Sequence, residues 1–148
     1  MYVYCSSSSG DTAVTDMFSP KQRSENMRRI RSYKTHPEEA VARTLKKLGM
    51  RYVRYDDHLA GTPDFVLRDS GRVVFVHGCF WHQHEGCGRK FMPKSKVGYW
   101  KEKLEGNVKR FDMVSRELRK MGRKVSVIWE CETKDPAVLT RRVRRCAS

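Results

Sequence analysis

The stretch Val73–Cys87, VVFVHGCFWHQHEGC, decides how this 148-residue chain is read. Val73-Val74-Phe75-Val76 is a short continuous apolar run of β-formers, and His77 ends it. Gly78 then opens a loop carrying Cys79, Phe80, Trp81, His82, His84 and Cys87. Groups suited to metal binding, proton transfer and base stacking thus leave the end of one strand together.

Just upstream, Gly61-Thr62-Pro63-Asp64-Phe65-Val66-Leu67 forms a turn that sets one carboxylate at the head of a second short apolar strand. Pro63, with fixed φ and no donor, suits a strand start. A third strand is expected over 51–55, and the strands over 64–67 and 72–77 are joined by the turn-forming Asp69-Ser70-Gly71. Links this short make the three strands antiparallel neighbours. Before them, Thr35-His36-Pro37-Glu38 has capping-box spacing, and Val41, Leu45 and Leu48 fall on one helical face until Gly49 stops it. Ser19-Pro20-Lys21-Gln22 starts an earlier, very basic helix to about Ile30.

Downstream, apolar residues recur in steps of three and four from Trp100 through Leu104, Val108, Phe111, Val114 and Leu118 to Met121, and Gly122 closes a long helix. Val125-Ser126-Val127-Ile128-Trp129 reads as a strand covered on both faces. Asp135-Pro136 begins a last helix. The order predicts an α/β fold with a mixed sheet and helices on both faces. Residues 1–18, rich in serine and without periodicity, are expected to be a flexible N-terminal segment, with a single domain over 19–148.

Lys and Arg number 31 against 17 Asp and Glu, a formal net charge of +14. That excess points to a polyanionic partner such as nucleic acid. No stretch reaches the roughly 20 apolar residues of a membrane span, and the opening MYVYCSSSSG lacks the pattern of a secretory signal, so a cytoplasmic protein is expected. Five cysteines, an odd count, fit metal better than a disulfide framework. Cys5 and Cys146 are terminal and read as free thiols.

Cys79, His84 and Cys87 on one loop, with Cys131 just past a neighbouring strand, make a four-ligand set for a structural zinc. Glu85 and His82 are alternative ligands. Asp64 offers the oxygen that a hard cation such as magnesium prefers. His77 and His82 remain for proton exchange. Phe80 and Trp81, between a ligand and a candidate base, are placed to stack on or wedge between bases. Trp100 reads equally as a base contact and as the start of the long helix's core stripe. Glu38 reads as a capping-box partner or as a metal-site residue. Lys21, Arg23, Arg28, Arg29 and Arg31 form either a phosphate-binding cluster or a solvated helix face.

Taken together, Arg23–Arg28 (RSENMR), Gly61–Phe65 (GTPDF), Val74–Cys87, Tyr99-Trp100 and Trp129-Glu130-Cys131 resemble the very short patch repair (Vsr) mismatch endonucleases, a branch of the PD-(D/E)xK superfamily. The similarity runs from about Ser19 to Arg145. It implies a restriction-endonuclease-like three-layer αβα sandwich and a magnesium-dependent nick 5′ to the thymine of a T:G mismatch in double-stranded DNA. Asp64 and the main-chain carbonyl of Val76 would hold two magnesium ions, with Glu38 reaching a water of their shell. His82 would be the general base and His77 would assist at the leaving group. Cys79, His84, Cys87 and Cys131 match the structural zinc site. Phe80, Trp81 and Trp100 match aromatics inserted at the mismatch, and Met27 matches a minor-groove contact. The expected setting is the bacterial nucleoid, beside a DNA cytosine methyltransferase and mismatch-repair proteins, with the enzyme a monomer. The chain departs from the wider superfamily, because no acidic-x-lysine pair follows Asp64 and the chemistry must rest on histidine. Two alternatives stand beside it: a restriction-type or defence nuclease cutting matched DNA, and a non-catalytic zinc-stabilised DNA-binding module.

Overall fold

A computed structural model describes residues 34–148. The basic helix expected over 19–30, with Arg23, Met27 and Arg28, lies outside the described residues. Within Lys34–Ser148, a compact unit, the chain runs α1 (His36–Lys47), β1 (Tyr52–Arg54), β2 (Phe65–Leu67), β3 (Val73–His77), α2 (Val97–Lys120), β4 (Val125–Trp129), a 3₁₀ turn (Glu130–Lys134) and α3 (Pro136–Ala147). The four strands form one sheet in the order β1-β2-β3-β4. The first three are antiparallel in turn and β4 joins β3 in parallel, which the crossover through α2 requires.

Alternation along the strands sorts side chains onto two faces. Phe65, Leu67, Val74 and Ile128 pack with Val41 and Leu45 of α1 and Leu139 and Val143 of α3. Val66, Val73 and Phe75 pack instead with Leu118 of α2, flanked by Phe111 and Val114. Gly61 lets the turn before β2 press against α2: its φ is +74°, and an added Cβ would lie 2.5 Å from a Val114 methyl. At α3, Asp135 caps the helix by accepting from the N–H groups of Ala137 and Val138 at 2.8 and 3.2 Å.

Two local expectations change. In β4 only Ile128 is buried, and its four neighbours are half-buried; Ile128 joins the first core and Val125 packs on the second, so both faces are covered but incompletely, and among the described residues the strand pairs with β3 alone. At α1 the reciprocal capping box does not form, since the Thr35 hydroxyl donates to the Glu38 carboxylate at 2.6 Å and caps no backbone N–H. The tightest test of the first core is Leu45, 2% exposed. Leu45→Ala is expected to cost about 3 kcal/mol in chemical denaturation, the usual scale for such a cavity.

Candidate active site

The parallel register is what builds the site. His77 pairs with Trp129, so the residues two places further along each strand, Cys79 and Cys131, emerge side by side. The loop then turns back on itself: the His84 N–H donates to the Cys79 carbonyl at 2.9 Å and the His82 N–H to that of Gly78 at 3.1 Å. Cys79, His84, Cys87 and Cys131 thereby present ligand atoms all within 4.8 Å of one another. The Cys79 and Cys131 sulfurs stand 3.7 and 3.4 Å from His84 Nδ1. In a tetrahedral zinc shell an S···N edge is about 3.6 Å, from Zn–S near 2.3 and Zn–N near 2.0–2.1 Å. Burial, reinforced by the neighbouring sulfurs of Cys79 and Cys87, pushes the Cys131 thiol up to about 12. A cation among the sulfurs would supply the charge that lets them ionise together. The donor set therefore fits a metal ion.

Two groups that the sequence reading gave no task hold this loop. Glu130 accepts from the Cys79 N–H at 3.3 Å and pairs with Arg89 at 2.9 Å, tying both ends of the loop to the 3₁₀ turn. Trp129 stacks flat on His84, with centroids 4.0 Å apart, and meets His77 edge-on at 5.4 Å. Gly78 keeps the turn tight, because a Cβ there would lie 3.1 Å from the Trp81 ring.

His77 and His82 lie stacked, ring centroids 3.7 Å apart and 9° from parallel, with the edge of Phe111 against His77 at 4.2 Å. Desolvation, with the neighbouring His82 adding to it, depresses His77 to about 3, and desolvation depresses His82 to about 4. Both rings are neutral near pH 7, the state from which imidazole accepts a proton. His82 Nδ1 is buried with no hydrogen-bond partner, an orphan of the kind that functional sites carry. Both histidines line a cleft of about 860 Å³ against α2, shared with Leu104, Phe111, Trp129 and Lys109.

Consecutive residues of β3 divide the site. Val76 packs toward α1 and α3, whereas His77 stands on the α2 side with Phe75. The Val76 N–H donates to Asp64 Oδ2 at 2.7 Å; Val76 thus contacts Asp64 through its amide. Burial pushes Asp64 up to about 7, opposed by that bond and reinforced by the charge of nearby Glu38. A divalent cation would offset both the burial of Asp64 and the charge of Glu38, so the oxygen donor and its environment fit one. Glu38 is 4% exposed and held by the Thr35 hydroxyl, the Lys34 N–H and the Tyr55 hydroxyl.

The loop's aromatics form their own group. Phe80 contacts Trp81, Phe91 and Trp100 at centroid distances of 5.1, 4.8 and 5.7 Å. Trp81 and Phe91 are exposed, and the Lys103 ammonium lies 5.6 Å from the Trp81 ring. Trp100 joins this surface group and belongs to neither sheet core. Thr62 and Gln83, beside the site, both adopt left-handed backbone; the Gln83 amide donates to the Phe80 carbonyl at 2.6 Å and braces the turn bearing Trp81 and His82.

A mixed α/β fold that joins Asp64, with Glu38 near it, to a pair of stacked histidines and a Cys/His cluster on a strongly basic chain is that of a nuclease acting on DNA. The family described as DNA mismatch endonuclease Vsr matches residues 15–89. The chain is 41% identical over 131 residues to the type II nicking enzyme V.XorIIP of Xanthomonas oryzae, covering 88% of this chain and 96% of the relative. It is 42% identical over 132 residues to the type II nicking enzyme V.NmeAIP of Neisseria meningitidis, covering 89% and 94%. Against the DNA mismatch endonuclease Vsr of Escherichia coli it is 35% identical over 127 residues, covering 86% and 81%. The chain belongs to the Vsr family of DNA endonucleases. Among the described residues no helix is long and apolar enough to cross a membrane.

Proposed function

We propose that this enzyme is a magnesium-dependent, strand-specific endonuclease that nicks double-stranded DNA 5′ to the thymine of a T:G mismatch, leaving 3′-hydroxyl and 5′-phosphate ends. The carrying observation is that one loop, anchored at the Cys/His cluster, bears both the exposed aromatics and His82, directly after the strand whose Val76 holds Asp64. Recognition and hydrolysis are thereby mounted on one rigid part. Its fold is taken as the restriction-endonuclease-like three-layer αβα sandwich, a reading supported by the two cores on opposite sheet faces, and its domain as residues 19–148.

Asp64 and the main-chain carbonyl of Val76, with Glu38 close by, would hold magnesium, which would supply Lewis-acid stabilisation of the attacking and departing oxygens. His82, neutral and with an unpartnered nitrogen, takes the proton of the attacking water. His77, stacked against it, orients that ring and serves the leaving group. Phe80, Trp81 and Trp100 wedge at the mismatch, where unstacking costs less than at a paired step. Met27, Arg23 and Arg28 contact the minor groove and backbone. Zinc at Cys79, His84, Cys87 and Cys131 is structural. The partners are T:G-mismatched DNA, a cytosine methyltransferase whose deaminated product creates the mismatch, and mismatch-repair proteins; the enzyme acts as a cytoplasmic monomer at the nucleoid.

A second reading is a restriction-type or defence nuclease of the same fold cutting matched DNA; the names of the type II nicking enzymes specify a nick and no mismatch. Strand-labelled duplexes, matched and with one T:G mismatch in several cytosine-methylation contexts, separate the two when incubated with magnesium. A nick confined to the thymine strand is expected. Cutting of matched duplex selects the second reading, and binding without a cut in any context leaves a DNA-binding module.

A further inference from the structure

Among the described residues, an unexpected strand supplies a cation beside Glu38. β3 carries no lysine, whereas Arg54 at the end of β1 lies 3.7 Å from Glu38 Oε2 and its charge reaches Asp64. Arg54 is also forked: Nη1 bonds Glu39 Oε1 at 2.7 Å, Nη2 bonds the Tyr55 hydroxyl at 2.6 Å, and the guanidinium lies over the Phe65 ring at 5.3 Å. Tyr55 completes the fork. Its hydroxyl donates to Glu38 Oε2 at 2.5 Å and accepts from the Lys34 N–H at 2.7 Å, while its own N–H donates to the Asp64 carbonyl at 3.4 Å.

Tyr55 reaches this position only by adopting left-handed backbone, φ +53°. A bulky residue there is strained, and such strain persists where the surrounding contacts over-determine it. Among those contacts, the Tyr55 hydroxyl bonds Glu38, its N–H bonds the Asp64 carbonyl, and Arg54 lies against both Tyr55 and Glu38. We propose that Arg54 and Tyr55 are positioning residues, a clamp that fixes the Glu38 carboxylate beside the Asp64 ion site. This inference rests on the metal reading of Asp64 given above. The clamp touches Glu38 by side chain and Asp64 by backbone, so it sets the spacing of two donors that lie 26 residues apart in sequence. Partners behind metal ligands typically change ion affinity or activity by 10–100-fold when removed.

The test is Mn²⁺ binding to the full-length, zinc-loaded protein, followed by electron paramagnetic resonance, in wild type, Asp64→Ala, Tyr55→Phe and Arg54→Lys. Tyr55→Phe keeps the ring and deletes the hydroxyl, and Arg54→Lys keeps the charge and deletes the fork. Each is expected to weaken the Asp64-dependent ion about tenfold and to raise the magnesium needed for half-maximal nicking in step, with DNA affinity and zinc content unchanged. Wild-type ion affinity in both variants overturns the clamp, and so does a lowered melting temperature with ion affinity intact. A wild type with no Asp64-dependent ion strikes the metal reading itself, whereas a wild-type ion indifferent to both variants strikes the clamp alone.

Discussion

Asp64→Ala is expected to lower nicking at least about 10³-fold, some 4 kcal/mol of transition-state stabilisation, while duplex binding stays within about threefold of wild type by the separation of phosphate contacts from chemistry. In the proposed mechanism this carboxylate is the donor on which the ion site rests, because Glu38 is already committed to three protein donors. Binding, on the same proposal, draws on the exposed aromatics and the basic excess rather than on Asp64. A second readout comes from stability without magnesium. Asp64 stands at about 7 in the folded protein against an ordinary value of 3.8. An acid raised on folding binds more protons when folded, so its ionisation opposes folding progressively as pH climbs from about 4 to 7. Asp64→Asn should therefore be more stable than wild type, with the gap opening across that window and level above it. Equal melting curves at pH 5 and pH 8 would contradict the buried position of this carboxylate. Single-turnover nicking at saturating enzyme is the measurement for the first effect, because it separates chemistry from product release.

The strand and loop around His77 were legible because short-range chemistry dictates them: β-formers in a run, a glycine, then ligand-type side chains at short spacing. The Cys131 partner was legible for the same reason, since a crossover helix and one further strand bring it alongside Cys79 by parallel register. What escaped were contacts between elements far apart in sequence. Glu38 had the spacing of a capping box, but Tyr55, 17 residues on, takes one of its oxygens, and no local pattern encodes a tyrosine held in left-handed backbone. Arg54 and Tyr55 in a short strand look like solvated residues until the sheet sets them against α1. Phe111 packs on the second core as its place in the stripe implies, and it also lies against His77 in a T-shaped contact that the stripe does not show. The apolar run of β4 is covered on both faces as its sequence implies, but Trp129 has a further task that no pattern shows, to flank His84 and His77. Burial patterns report that a side chain is wanted, and only the assembled sheet reports by what.

Stripping or misbuilding the Cys/His cluster should have the other large effect. Cys131→Ser is expected to release the ion, lower the melting temperature by on the order of 10 °C, and abolish nicking, while far-ultraviolet circular dichroism retains the signal of the sheet and helices. A structural ion held about a thousandfold below its ambient concentration contributes roughly 4 kcal/mol by linkage. The loss should be local first. The two cores draw on α1, α2, α3 and the strands, with no residue from the loop over 80–90, so the fold has its own support. That loop is held instead by hydrogen-bonded turns, the Glu130 carboxylate, ring contacts to Trp100 and Trp129, and the ligand set. Without the ion, His82 loses its stack on His77, and Phe80 and Trp81 lose the platform that presents them together. Activity should fall with ion content as chelator is titrated, ahead of global unfolding, and return when zinc is restored. Cys146→Ala is the control: Cys146 is a buried cysteine in the first core, away from the cluster, so its loss should lower stability with zinc content unchanged. If Cys131→Ser keeps a full equivalent of zinc by elemental analysis, Cys131 is no ligand, and the convergence of three sulfurs on His84 needs another cause.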